Sequence, residues 1–300
     1  MDIVSLFFQQ LINGLSKGGI YALIALGYTM VYGIIKLINF AHGDILMVGA
    51  YIAYFVFAAW GFTPGSIFVA VLFAVAGSVL LGISIEATCY RPMRSAPRIN
   101  ALITAIGVSI FLENFPRLIP AIGPNYRDLT VPKLFETIHI GEVSIDPLKL
   151  LTLVVSLVLM TLLILIVDYS KAGKAMRAVS FDMGASALMG ISVNRTVSFT
   201  FALGSALAGI GGVLYMLNFP LLDTYMGIMP GLKAFVAAVL GGIGSIPGAI
   251  LGGLRLGIAE ALTAGFISSK VMDFVVFGFL ILILLLKPSG LLGVHRKEKV

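Results

Sequence analysis

ILMVGAYIAYFVFAAWGFTPGSIFVAVLFAVAGSVLLGISI, running from Ile45 to Ile85, contains no Asp, Glu, Lys or Arg. A helix needs about 20 predominantly apolar residues to cross the hydrocarbon core of a bilayer, so this stretch holds two crossings. Charge is equally absent from Gly18–Ile35, Leu150–Val167, Thr196–Leu222 and Ala234–Leu254, each of which holds one crossing or one broken crossing. Over all 300 residues, 59% are hydrophobic and 11% charged, and the mean hydropathy is +1.05. A soluble domain of this length must clothe its core in polar residues, and such a composition cannot do so. The sequence therefore predicts an all-α, polytopic transmembrane helical bundle embedded in a lipid bilayer.

The charges that do occur are placed as a membrane topology would place them. Arg91, Arg94 and Arg98 share one linker, Lys171, Lys174, Arg177 and Arg195 another, and Lys287, Arg296, Lys297 and Lys299 lie at or beyond the last apolar run. These eleven of the twenty basic residues mark three cytoplasmic segments. The stretch 116–147 instead mixes Arg117, Arg127 and Lys133 with Asp128, Glu136, Glu142 and Asp146, and is read as an outside (periplasmic) loop. Topology accounts for the net charge of +6, and no nucleic-acid partner is expected. Cys89 is the single cysteine, which excludes an intrachain disulfide and a thiolate metal cluster. The N-terminus lacks the charged start and small-residue cleavage site of a signal peptide. Ile3–Ile12 is expected to be retained, as a short first span or as an interfacial helix.

With the basic segments inside, Ile67–Ile85 runs inward, Ala101–Phe115 outward, Leu150–Val167 inward, Ser198–Asn218 outward and Phe274–Leu286 inward. Between the last two, Leu232–Leu240 and Ile250–Leu262 flank GGIGSIPGA at Gly241–Ala249. Its glycines and Pro247 cannot continue a regular helix, which predicts a hairpin turning at, or part-way in from, the cytoplasmic side. Near the start, NFAHGD at Asn39–Asp44 similarly interrupts two apolar helices, Gly18–Ile35 and Ile45–Trp60. Two glycine-rich broken hairpins, one in each half, suit a transporter with internal pseudo-symmetry. The count is about eight spans in a single permease domain covering residues 1–300. The chain's 34 glycines, many at helical spacing, predict close helix packing.

Polar residues within spans are costly, which makes each a candidate site. Asn39, His42, Gly43 and Asp44 cluster at the first break, and Gly244 lies in the second. Freed backbone groups at such breaks can line a substrate path, although Asp44 also suits a helix N-cap. Glu260 either faces a cavity, pairs with Arg255, or snorkels to the outer interface. Glu86 and Glu113 lie near span ends and carry less signal. His42 and Asp44 lack further ligands at metal-binding spacing, so no metal and no cofactor is expected. There is no GxxxxGK[ST], HExxH or GxSxG motif, and no span carries the run of carboxylates expected of a proton relay. The chain is read as a non-catalytic transport component.

Residues 168–197, beginning DYSKAGKAMRAVSFDMGASALMG, form a linker far longer than a simple connection needs. Helical character over Ala175–Met189 with a stop at Gly190 predicts a cytoplasmic helix beneath the membrane, available for docking or for anchoring on anionic headgroups.

GGIYALIALGYTMVYGIIKLINFAHGD (Gly18–Asp44), RPMRSAPRINALITAIGVSIFLEN (Arg91–Asn114) and GLKAFVAAVLGGIGSIPGAILGG (Gly231–Gly253) resemble the LivH-type permeases of high-affinity branched-chain amino-acid ABC importers. The resemblance extends from about Leu11 to Gly293 and is lowest over 116–147. It implies a second, sister permease, two cytoplasmic ABC ATPases and a periplasmic amino-acid-binding protein as partners. It also implies the cell inner membrane as location and leucine, isoleucine and valine as cargo. ABC importer permeases carry an EAAxxxG pattern at the ATPase contact. The corresponding GASALMG keeps Ala185 and Gly190, while Gly184 replaces the acid and Ser186 the second alanine. The resemblance thus makes Arg177, Asp182, Ala185, Ser186 and Gly190 candidates for ATPase coupling. Competing readings are the same scaffold importing urea or short amides, and an ion-coupled secondary transporter.

The charge pattern predicts that single cysteines replacing Glu136 and Arg177 label oppositely in intact cells. An impermeant maleimide should modify position 136 and leave 94 and 177 unmodified; modification at 177 would refute this orientation.

Overall fold

The computed structural model describes residues 2–94, 96–132 and 136–293, and of Arg98 the backbone alone. Arg296, Lys297 and Lys299, assigned above to a cytoplasmic tail, and Lys133 lie outside the described residues. Eight helical segments are long and apolar enough to cross a membrane.

The first helix, α1 (Ile3–Ile35), has 33 residues and at 1.5 Å per residue is about 50 Å long. Ile3–Ile12 is therefore neither a separate span nor a surface helix; it is the opening of α1, and the helix does not start at Gly18. From Ile20 to Leu26 every side chain is buried, as expected of a helix apolar on all faces. The other helices follow in chain order. These are α2 (His42–Trp60), α3 (Pro64–Ile85), continued by a π turn (Glu86–Tyr90) and α4 (Arg91–Met93), and α5 (Arg98–Asn114), ending in a 3-10 turn (Phe115–Leu118). They continue with α6 (Pro147–Tyr169), α7 (Lys171–Phe181), α8 (Met183–Leu188) and α9 (Val193–Asn218). The last three are α10 (Ile228–Gly241), α11 (Ile246–Phe266) and α12 (Met272–Leu286).

Local chemistry sets many of the boundaries. Thr63 and Ser66 form a reciprocal capping box at the start of α3, with Pro64 in the first turn. Asp146 caps α6 before Pro147, and Ser245 caps α11 ahead of Pro247. The stretch 116–147 contributes two small antiparallel pairs. Strand β1 (Arg127–Asp128) pairs with β4 (Leu221–Leu222), which precedes α10, and β2 (Ile138–Ile140) pairs with β3 (Val143–Ile145). Glu142, in the turn between β2 and β3, accepts hydrogen bonds from the Asp2 amide and the Ser5 hydroxyl of α1, which hold its carboxyl below the usual range.

Two expectations need correction. His42, Gly43 and Asp44 do not lie in an interrupting loop; they form the first turn of α2, which starts at His42 instead of Ile45. The region Ala175–Met189 is not one helix. It breaks at Asp182, which ends α7 and caps α8 by accepting from the Ala185 amide at 2.9 Å. The second hairpin also differs in detail. Its turn, Gly242–Ser245, lies beside Gly290 and Gly293 at the end of α12. Helix α10 has 14 residues, about 21 Å, and is too short to cross a membrane alone.

Small residues bring the central helices into backbone contact. Gly14 and Gly18 of α1 face Gly253 and Gly257 of α11, and a Cβ added at Gly253 would lie 2.5 Å from the Cα of Ala22. A buried ion network bolts the same helices together. Glu260 of α11, 0% exposed, accepts from Lys17 of α1 at 2.8 Å, Lys233 of α10 at 2.7 Å and the Tyr21 hydroxyl at 2.9 Å. Lys233 also reaches Asp273 of α12 at 2.7 Å. Snorkelling and pairing with Arg255 are both overturned: the partners come from other helices, which sequence spacing cannot reveal. Glu86, equally buried, joins Arg91 and Arg94 to Ser198 of α9.

Gly253→Leu should destabilise the folded chain by at least about 1–3 kcal/mol through overpacking. Gly107→Leu, where an added Cβ meets nothing within 4 Å, should leave it unchanged. Glu260→Gln, which takes the carboxylate from half-buried Lys17 and leaves buried Lys233 with Asp273, should cost about 1.5–3 kcal/mol. Thermal melts of the detergent-solubilised variants would test the ranking, and equal melting temperatures would contradict it.

Candidate functional site

The chain doubles back after α1. Residues 36–41 return from Ile35 to place His42 against Gly27 of α1 and Gly204 of α9, eight residues or about 12 Å short of the end of α1. Helix α2 therefore begins inside the bundle. Helix α10 begins beside it, with Gly43 against Gly227 and with a Cβ added at Gly231 falling 3.0 Å from the Cα of Gly43. A larger residue at any of these three glycines would push the two helix starts apart. Backbone bends at this depth are tolerated because protein surrounds them and because they line a cavity.

That cavity, of about 210 Å³, lies between the two helix starts and α5. Its polar groups are Asp44, Ser109, Glu113 and Tyr28, and its apolar wall includes Phe40, Ile106, Ile110, Ile228 and Leu232. The Ser109 hydroxyl stands 2.5 Å from Asp44 Oδ2 and 3.3 Å from Glu113 Oε1, and its one proton serves a single carboxylate at a time. Asp44 is therefore no N-cap. The cap position of α2 is Ala41, with no side-chain cap bond, and the carboxylate turns to α5. Two carboxylates can receive a cationic group here, and the positive ends of two helix dipoles can receive an anionic one. Branched hydrocarbon suits the remaining wall.

The other residues singled out in the sequence divide into separate places. Asn39 and His42 stand behind the cavity. Asn39 is buried, and its Oδ1 accepts from the Tyr90 hydroxyl at 3.0 Å, which braces the returning segment. His42 lies edge-on to Tyr28 with ring centroids 4.9 Å apart. Neither Asn39 Nδ2 nor His42 Nε2 has a hydrogen-bond partner among the described residues. Gly244, at φ +95°, lines a different cavity, at the end of the bundle where α1 finishes. Glu260 belongs to the ion network. Among the described residues no cluster of His, Cys, Asp and Glu has metal-binding geometry.

The sequence reading missed Ser109 and underrated Glu113. Their signal was present: they are four residues apart on an otherwise apolar helix and so share one face. Deciding whether that face met lipid or Asp44 required the third dimension.

The residues considered for coupling build one corner. Arg177 donates to the carbonyls of Val167 and Asp168 at the end of α6 and pairs with the Asp168 carboxylate at 3.6 Å. Asp182 and Ala185 make the cap of α8, and the Ser186 amide donates to the Asp182 carbonyl at 3.1 Å. Gly190, at φ +83°, donates to Ala187, and Ile191 donates to Ser186. Phe181, Leu188 and Met189 project outward around this corner, at 79%, 90% and 82% exposure.

Residues 10–285 match the family described as the permease component of the branched-chain amino acid transport system. The high-affinity branched-chain amino acid transport system permease protein LivH of Escherichia coli (strain K12) is 44% identical over 305 residues, covering 98% of each chain. The corresponding permease protein BraD of Pseudomonas aeruginosa is 43% identical with the same coverage. A probable branched-chain amino acid transport permease protein LivH of Methanocaldococcus jannaschii is 28% identical over 92% of this chain and 89% of its own. No solved structure matches. A polytopic helical chain whose match runs nearly end to end leaves no ambiguity of family, and this protein belongs to the branched-chain amino acid transport system permease components.

Proposed function

We propose that this chain is the membrane permease subunit of an ATP-driven importer for leucine, isoleucine and valine, and that it sits in the cell inner membrane. Its partners in this reading are a sister permease, two ABC ATPases beneath α7 and α8, and a periplasmic amino-acid-binding protein at the end carrying 116–147. The observation that carries it is the 210 Å³ cavity, where acids, helix starts and an aliphatic wall converge inside the bundle. A branched-chain amino acid is a zwitterion with a hydrocarbon side chain. Desolvating its two charges without partners would cost several kcal/mol each. Asp44, with Ser109 and Glu113, supplies acceptors for the ammonium, and the beginnings of α2 and α10 favour the carboxylate. The cavity's rim on α5 is apolar and exposed at Ile106 and Ile110, a face that a second permease would close to complete the path.

The α7–α8 corner transmits ATPase movement in this reading. Helix α7 contributes to the same cavity wall as the α10–α11 turn, so a displacement of α7 reaches the helix whose start holds Gly227 against Gly43.

In proteoliposomes holding the assembled complex and the binding protein, leucine uptake should require ATP on the ATPase side, and urea should not be carried. Asp44→Asn removes one charge-assisted contact, about 1.5–3 kcal/mol, and should lower kcat/KM about 10–100-fold while the complex still assembles. Uptake driven by a proton or sodium gradient without ATP would overturn the importer reading; unchanged kinetics in Asp44→Asn would remove the cavity from the path.

Gly190→Val forces a branched residue into a left-handed backbone. It should leave assembly intact and abolish substrate-stimulated ATP hydrolysis. Stimulation equal to wild type would sink the coupling role of the corner.

A further inference from the structure

A second cavity, of about 280 Å³, opens where α1 ends, walled by α1, the last turn of α6, helix α7 and the α10–α11 turn. It is separate from the cavity beside Asp44, and its chemistry is opposite. Lys36 and Arg177 supply cations, Arg177 being paired with the Asp168 carboxylate just outside the lining, Thr29, Ser180 and Ser245 supply hydroxyls, and the lining itself has no acid among the described residues. Met30, Ile34, Met176 and Ile243 make the wall otherwise aliphatic.

Thr29 points to a ligand. It is 1% exposed and lines this cavity, yet its hydroxyl has no hydrogen-bond partner among the described residues. Thr152, Thr200 and Thr263, also buried in helices, each donate to the carbonyl four residues earlier, at 2.7–2.9 Å. A buried hydroxyl left unbonded costs about 1–3 kcal/mol, and an acceptor on a ligand that reaches it as the cavity walls adjust would recover that cost. Lys36 adds a cation on the wall. It is the one residue other than glycine with positive φ, at +56°, among those described. That conformation closes α1, with the Lys36 amide donating to the Tyr32 carbonyl at 2.9 Å, and the Lys36 ammonium donates to the Gly33 carbonyl at 2.7 Å on the cavity wall.

We propose that this cavity binds a small aliphatic carboxylate, the imported amino acid itself on its inner side, and that occupancy restrains α7 against the bundle. The proposal rests on the transport reading for the identity of the ligand. The carboxylate accepts from Thr29 and faces Lys36 and Arg177, and the branched chain lies along Met176 and Ile243. The carbonyl end of α1 favours the ammonium. A ligand held between α1 and α7 stabilises the arrangement in which both walls are in place, and so opposes movement of α7. Accumulated substrate would thereby slow its own entry.

The test uses the full-length chain in lipid nanodiscs, with Cys89→Ala to remove the native thiol and Ser180→Cys as a reporter on the cavity wall. Leucine and isocaproate should protect position 180 from maleimide, and leucinamide, which lacks the carboxylate, should not. Lys36→Asn keeps a residue that tolerates the left-handed backbone and should raise the protecting leucine concentration at least about tenfold, near 1.4 kcal/mol. Protection that is absent, equal with leucinamide or unchanged in Lys36→Asn overturns the site. In proteoliposomes of the whole complex, trapped leucine should slow uptake several-fold in wild type and far less in Lys36→Asn. Protection without slowing overturns the restraint on α7. Protection in a complex that takes up no leucine would retain the site and remove the transport reading.

Discussion

A backbone N–H or C=O exposed to hydrocarbon has no water to bond, and each one left unpaired costs several kcal/mol. The architecture follows from that constraint. Eight segments close their hydrogen bonds internally as long helices, while the irregular stretch after Lys36, residues 37–41, and the entry to α10 are half-buried or buried among other helices. α1 is the means of enclosure. Its length lets α2 start beside Gly27, and its burial on every face from Ile20 to Leu26 means that whatever begins at that depth begins inside protein.

Charge follows the same logic. Glu260 and Glu86 are fully buried, and each is met by two cations and a hydroxyl: those of Glu260 come from α1 and α10, while Glu86 meets Arg91 and Arg94 just after it in the chain and Ser198 of α9. In a bundle without a hydrophobic drive between helices, such networks join elements that close glycine packing alone would leave free to slide. The Glu260 network gathers α1, α10, α11 and α12, and the Glu86 network ties the end of α3 to α9. Asp44 differs. Its neighbours are a serine and a second carboxylate, and among the described residues no basic residue lines the cavity it faces. That is why it is read as a site and the two ion networks as structure.

The two cavities are complementary in sign. The one beside Asp44 carries acids within the bundle; the one at the end of α1 carries cations and an unmet hydroxyl. Helix α10 and its turn connect them, since its start borders the first and the turn after it borders the second. A rigid helix of 14 residues is well suited to report at one end what happens at the other, and α7 contacts the second cavity directly.

Much of this was legible in the linear chain. The membrane class, the approximate number of spans, the breaks near Asn39–Asp44 and Gly241–Ala249, and the family all follow from apolar run length, glycine and proline placement, and motif resemblance. These are properties of contiguous residues, and the physics behind them is local: rise per residue, cap chemistry and the cost of charge in lipid. What only the tertiary structure decided is which residues meet across the bundle. Asp44 as a cap and Asp44 as a cavity wall are equally consistent with NFAHGD; Ser109, 65 positions away, separates them. Glu260 could not be assigned to Lys17 and Lys233, 243 and 27 positions distant. Nor does any local pattern show that Ile3–Ile12 continues into Gly18–Ile35, or that α10 starts level with α2. Partner choice in a helical bundle depends on helix rotation and depth, and those are fixed by glycine contacts and ion pairs formed between segments far apart in the chain.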